Sequence, residues 1–379
     1  MSHATTPGRE GAPGPLDGVR VLDVSQLLPG PYAAQLLADL GADVIKVEPP
    51  QGDGARRIRG ELFVGTNRNK RGAVLDLKDE AGRTELLRLA AEADVLVEGY
   101  RPGVTARLGI GYDDVAALNP GIIYCSISGF GQDGAQVPGH DLNYLAQSGV
   151  LSFSGHWGET PRRPGAPMAD LGSASFAAVA VLAALRERDR TGRGGHLDVS
   201  MTDVMTAWAA TRGGPRLERS VDITDHLYPT NDLYRTRDGH QLALGAIEEK
   251  FWRAARQVLA QVEPRLDDPR WDTEAGRLEH GDELHALVTD AVAQRDRDDW
   301  LRDFAGSDAP VTPVRSLTDA VTDHLARDTG LVAEQDGQRH VLFPVRRDGH
   351  VMGRLRSTAP SLDSDQAPNR EEPIRWTSR

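Results

Sequence analysis

Apolar positions in the first two hundred residues come in short runs parted by polar turns. Residues 19–24 are rich in apolar, β-branched side chains, and Pro31 suits the first turn of a helix that 32–40 continues until Gly41 offers a stop. Residues 44–48 then read as a second strand ahead of Pro49-Pro50. This β-α-β order predicts a parallel sheet with a ligand near its strand ends. Further strands are expected at 73–77, 95–98, 122–127 and 195–200, with helices at 80–93 and 168–188. Beyond 212 the chain becomes more polar. A hairpin turning at Asp238-Gly239 is expected within 233–245, followed by helices at 249–259, 283–293 and 297–304.

The 379 residues exceed what one core usually organises, so two domains are expected. No uninterrupted apolar run approaches the ~20 residues of a membrane span. The opening MSHATTPGREGAPG is small and polar and lacks a secretory h-region, which predicts a disordered tail over 1–14 and a cytoplasmic location. A net charge of -12 argues against a general nucleic-acid binder. Cys125 is the only cysteine, which removes intrachain disulfides and cysteine-rich metal clusters.

Several chemistries lack their usual signature. The first strand and helix are joined by LLPGPYA at 27–33, without the Gly-x-Gly-x-x-Gly of a dinucleotide site. There is no phosphate loop and no HExxH, and SISGFG at 126–131 lacks the Gly-x-Ser-x-Gly spacing of a nucleophile elbow. What stands out is PGHDLNYLAQSG at 138–149, where His140 and Asp141 adjoin the start of an apolar segment. An imidazole titrates near neutral pH and can act as acid or base, whereas Asp141 is equally well explained as a helix cap.

The segments PLDGVRVLD (15–23), LGADVIKVEP (40–49), NKR (69–71), LDLK (75–78), DVLVEGYRPG (94–103), SGFGQDG (128–134) and TGRG (191–194) together resemble the family III CoA-transferases. The resemblance implies an α/β fold: a Rossmann-like large domain from 15–212 and 326–379, a smaller α+β domain from 213–325, and an interlocked homodimer. GHDLNY at 139–144, GAIE at 245–248 and SDAPVTP at 307–313 are similar to the α-methylacyl-CoA racemase branch. Racemase relatives pair the histidine matched by His140 with the aspartate matched by Asp170, one acid and one base. Glu248 resembles the glutamate that supports the histidine, and Asp141 belongs to the same motif.

For the CoA ester, the resemblance points to Leu75, Asp76, Leu77, Lys78, Val95 and Arg101, with Gly139, Leu142, Asn143 and Tyr144. Lys70, Arg71 and Arg101 are the cations expected to meet phosphate. The expected activity is epimerisation at C2 of a 2-methylacyl-CoA, with no cofactor beyond the CoA of the substrate. Two alternatives stay open. Ala169-Asp170-Leu171 is closer to many transferases, in which the aspartate is a nucleophile forming an acyl anhydride, and a non-catalytic acyl-CoA-binding protein would keep the same fold.

Overall fold

The computed structural model describes residues 14–58, 60–153, 155–213, 227–362 and 374–377, so all but the last residue of the expected tail lies outside it. Six strands, β1 (Arg20–Asp23), β2 (Asp43–Glu48), β3 (Lys70–Val74), β4 (Val95–Glu98), β5 (Ile123–Ser128) and β6 (Gly195–Ser200), form one sheet in the order β3-β2-β1-β4-β5-β6. Every pairing in it is parallel. Val21, Val44, Val95 and Ile123 are inaccessible to solvent or nearly so, because helices cover both faces of a parallel sheet. Order reverses between β1 and β4, and a crevice opens beyond their carboxyl ends.

The strand expected at 73–77 instead occupies Lys70–Val74. Its first residue is charged yet buried, because Lys70 Nζ donates to Asp23 Oδ2 at 2.8 Å, to the Pro31 carbonyl at 2.7 Å and to Asn67 Oδ1 at 2.8 Å. Lys46 lies alongside, 3.0 Å from Asp53 and 3.8 Å from Asp23. Burial pushes the Asp23 carboxyl up, but Lys46 and Lys70 together outweigh it and leave the group below its ordinary value. Desolvation lowers Lys70 to about 8 against the pull of Asp23.

The chain divides into two compact units. The first comprises Met1–Ser148, Pro164–Trp208 and Val321–Arg379; the second comprises Gly149–Arg163 and Ala209–Ala320. The C-terminal segment returns to the first unit through paired polar groups. Arg356 donates to the carbonyls of Ala38 and Ala42, and Asn69 accepts from the backbone of Arg356 and Ser357.

In the second unit β7 (Asn231–Arg235), β8 (Gln241–Gly245) and β9 (Val311–Pro313) form an antiparallel sheet, with the expected hairpin between β7 and β8. The helix Glu249–Leu259 buries Trp252, Ala255 and Leu259, one face at helical spacing, in a core shared with Trp271 and Trp300. Residues 149–163 join this unit through Asp232. Its carboxylate receives His156 Nδ1 at 2.6 Å, His285 Nε2 at 3.2 Å and the Trp157 N–H at 2.8 Å.

Among the described residues one helix, Met168–Thr191, is long and apolar enough to cross a membrane by length and composition alone. Gly172, Ser173 and Ser175 break its first half, and its longest uninterrupted apolar run, 176–185, is too short for a membrane span. It packs on the helix Pro29–Asp39 and on β5 and β6, burying Ala169, Gly172, Ala174, Ala177 and Val181, as a core helix does.

Candidate active site

The crevice at the order reversal holds a cavity of about 730 Å³, lined by residues of the first unit. Gln26 and Leu27 enter from the loop after β1, Gly99 to Arg101 from that after β4, and Ser128 to Gly131 from the end of β5. Gly139, His140, Asn143, Tyr144 and Asp170 complete the wall. Leu27 holds a left-handed backbone at φ 67° although it is not glycine, and its N–H donates to Asp53 Oδ1 at 3.0 Å. Strained backbone of this kind persists where surrounding contacts over-determine it.

His140 is the N-cap of the helix Asp141–Gln147, and its backbone N–H donates to Asn143 Oδ1 at 3.0 Å. That reciprocal cap fixes the residue while leaving the imidazole exposed. Asp141 caps a different helix from its own. Its Oδ1 accepts from the N–H of Ala169 at 2.7 Å and of Asp170 at 3.4 Å, tying the start of Met168–Thr191 to the start of Asp141–Gln147. Two residues 29 apart in sequence are thereby joined. Asp170, in the first turn of the longer helix, is pushed up to about 7, chiefly by burial and then by the neighbouring Asp141 charge.

Tyr144 is buried against Phe130, their rings edge to face with centroids 5.5 Å apart. Two glycines make room for it. A Cβ on Gly129 would stand 2.3 Å from the Tyr144 ring, and one on Gly139 2.8 Å from it. Burial, and then the charge of Asp170, raise the Tyr144 phenol, while Arg101 opposes them.

The structure therefore brings together Gly139, His140, Asn143, Tyr144, Asp170 and Arg101, with Asp141 directly behind. It separates others. Lys70 is corrected from phosphate ligand to core ion pair, since its ammonium is fully enclosed and has three partners. Arg71 is engaged by both oxygens of Asp43 and also donates to the Arg375 carbonyl. Val95 is an inaccessible core residue of β4 paired with Val21 and Ile123.

Leu75, Asp76, Leu77 and Lys78 follow β3 at the same edge of the sheet as the cavity but do not line it; Leu77 is buried and Lys78 exposed. Leu142 is exposed and does not line the cavity. Glu248 belongs to the second unit, where its exposed side chain adjoins the helix Glu249–Leu259.

Gln26, Tyr100, Ser128, Phe130 and Met201 line the cavity without having been anticipated. All follow or end a strand of the sheet, so their positions beyond the carboxyl ends were the available signal. A second cavity of about 830 Å³ lies between Tyr32–Leu36 and the segment 338–344. Its buried cation, Arg68, is already engaged by both oxygens of Asp39, and the strand-end loops around His140 do not reach it.

The model of CoA-transferase family III matches residues 16–366. Among similar proteins, succinyl-CoA:glutarate CoA-transferase of Mus musculus is 35% identical over 338 residues, covering 85% of this chain and 77% of that protein. The α-methylacyl-CoA racemase of Homo sapiens is 35% identical over 322 residues, covering 81% and 79%. The acetyl-CoA:oxalate CoA-transferase of Acetobacter aceti is 32% identical over 386 residues, covering 97% of each. A crystal structure of a CAIB/BAIF family protein from Brucella suis superimposes with a TM-score of 0.81 at 29% identity, covering 93% of this chain and 97% of that one.

Proposed function

This chain belongs to CoA-transferase family III, and from that premise we propose that it epimerises 2-methylacyl-CoA thioesters at C2, with His140 and Asp170 as the two acid–base groups. The observation that carries the reading is an Asp170 carboxyl held at about 7 in the same cavity as His140. An ordinary carboxyl near 3.8 would be protonated at neutral pH in only roughly one molecule in a thousand. At about 7, both forms are populated, which is what a group that must give a proton in one direction and take it in the other requires.

In the forward direction neutral His140 removes the C2 proton, the electron pair moves onto the thioester oxygen, and protonated Asp170 delivers its proton to the opposite face. The chain is left with His140 charged and Asp170 ionised, which is the starting state of the reverse reaction. Asp141 supports this by placing Asp170 and disfavouring its ionised form. No added cofactor takes part. Arg101 at the cavity wall and the exposed Lys78 are the cations proposed to meet the CoA phosphates.

We also propose a homodimer. Phe176 and Val179 of Met168–Thr191 are 45% and 64% exposed, an apolar strip that a second copy would cover. In such a pairing the partner's Glu248 could orient the His140 ring, as the family resemblance implies.

Incubation with 2-methylacyl-CoA in heavy water should introduce deuterium at C2 as the epimers interconvert. His140→Ala and Asp170→Asn should each slow this by roughly 10²- to 10⁴-fold. A wild-type protein that binds these esters without C2 exchange sinks the proposal. The transferase reading, which has the same 35% identity behind it as the racemase, instead predicts an acyl-Asp170 species that hydroxylamine traps.

A further inference from the structure

Four hydroxyls lie on or just beyond β5 and β6, and three are engaged. Ser126 Oγ lies 2.9 Å from His196 Nε2. Ser200 Oγ accepts the Asp203 N–H at 3.1 Å, and Thr202 Oγ1 donates to the Gly129 carbonyl at 2.8 Å. Ser128 differs. It is the last residue of β5, 6% exposed, in register with Ser200 and part of the cavity wall, yet its Oγ has no hydrogen-bond partner among the described residues. A buried hydroxyl left without a partner is destabilising, so the position favours any ligand that supplies one.

The backbone around it is held firmly. The Gly129 carbonyl accepts both the N–H and the hydroxyl of Thr202, at 3.0 and 2.8 Å, and Gly129 packs on the Tyr144 ring. With the backbone held, the freedom left to the hydroxyl is rotation about the Ser128 Cα–Cβ bond. Three backbone donors nearby are engaged: the N–H of His140 by Asn143, and those of Ala169 and Asp170 by Asp141.

We infer that Ser128 is a further catalytic residue, whose hydroxyl donates a hydrogen bond to the thioester carbonyl oxygen of the bound acyl-CoA and holds the enolate oxygen that forms from it. The inference rests on the reading of this cavity as an acyl-CoA site. The proton stays on Oγ throughout. The bond strengthens as negative charge develops on the oxygen, so it favours the enolate over the bound ester, the condition for raising kcat rather than lowering KM.

The test uses the full-length protein and a 2-methylacyl-CoA labelled with carbon-13 at the thioester carbonyl. Infrared difference spectra of the bound ester should show the carbonyl band at lower frequency in the wild type and in Ser128→Thr than in Ser128→Ala. C2 exchange by Ser128→Ala should fall by about 10²-fold in kcat, the range for loss of one oxyanion donor, with KM changed less than about threefold. Identical bands in wild type and Ser128→Ala overturn the inference.

If Ser128→Ala fails to fold, the wild type alone decides. A carbonyl band no lower than that of the free ester in an aprotic solvent overturns it equally. Failure of the epimerase reading looks different: the wild type then exchanges no C2 proton while the lowered carbonyl band persists, and Ser128 retains its contact with the thioester.

Discussion

Replacing Asp170 by Asn should stabilise the first unit at neutral and alkaline pH while removing a proton-transfer group. In the folded chain burial, and then the Asp141 charge, hold this carboxyl at about 7, and in the unfolded chain it returns to its ordinary 3.8. The folded value is the higher one. The contribution of Asp170 to stability is therefore fully present below the unfolded value and is lost as pH rises through the folded value. A separation of about 3 pH units, at about 1.4 kcal/mol each, sets a ceiling of about 4 kcal/mol. Water in the cavity screens a half-buried carboxylate, so an effect of about 2 kcal/mol is expected at pH 8.

Asn carries no charge at any of these pH values, so the variant and the wild type should match near pH 4 and diverge steadily up to pH 7. Urea unfolding at unit steps from pH 4 to pH 8, followed by hydrogen exchange in the peptide covering Met168–Thr191, reads the first unit without interference from the second. Parallel profiles, or a variant less stable than wild type at pH 8, would refute the argument that Asp170 is held near 7 by burial and Asp141.

Three further changes probe the scaffold. Lys70→Met should destabilise the first unit by about 3–5 kcal/mol in urea titrations, because it strips the closest cation from the buried Asp23 carboxylate; a loss below about 1 kcal/mol would contradict the ion-pair assignment. Arg101→Ala should leave unfolding unchanged and weaken acyl-CoA binding in calorimetry, more so at low salt than at high. Gly129→Ala, whose Cβ would meet the Tyr144 ring at 2.3 Å, should cost about 1–3 kcal/mol and displace that ring. Unaltered Tyr144 fluorescence and ligand binding in this variant would count against that contact.

Strand and helix periodicity was legible in the sequence wherever the apolar pattern was dense. Val21, Val44, Val95 and Ile123 announce a parallel core without any structure, and so does the face Trp252, Ala255 and Leu259. The motif 139–144 and Asp170 were legible as chemistry, and as a pair, because they resemble a family, but the contact that joins them was not. It depends on Asp141 bonding the backbone of Ala169 and Asp170 across two helix starts.

Lys70 misled for a related reason. A lysine in sequence reads as exposed, and only Asp23, arriving from β1, makes its burial tolerable. Residues 149–163 carry no periodicity that assigns them to the second unit; His156 and Trp157 do so by reaching Asp232, over 70 residues away. Ser128 is one hydroxyl among many until its neighbours' partners are known. Local propensity and burial pattern are written in nearest neighbours along the chain. Ion pairs, shared caps and unpartnered groups depend on residues distant in sequence, and they acquire their energies only when folding removes the water between them.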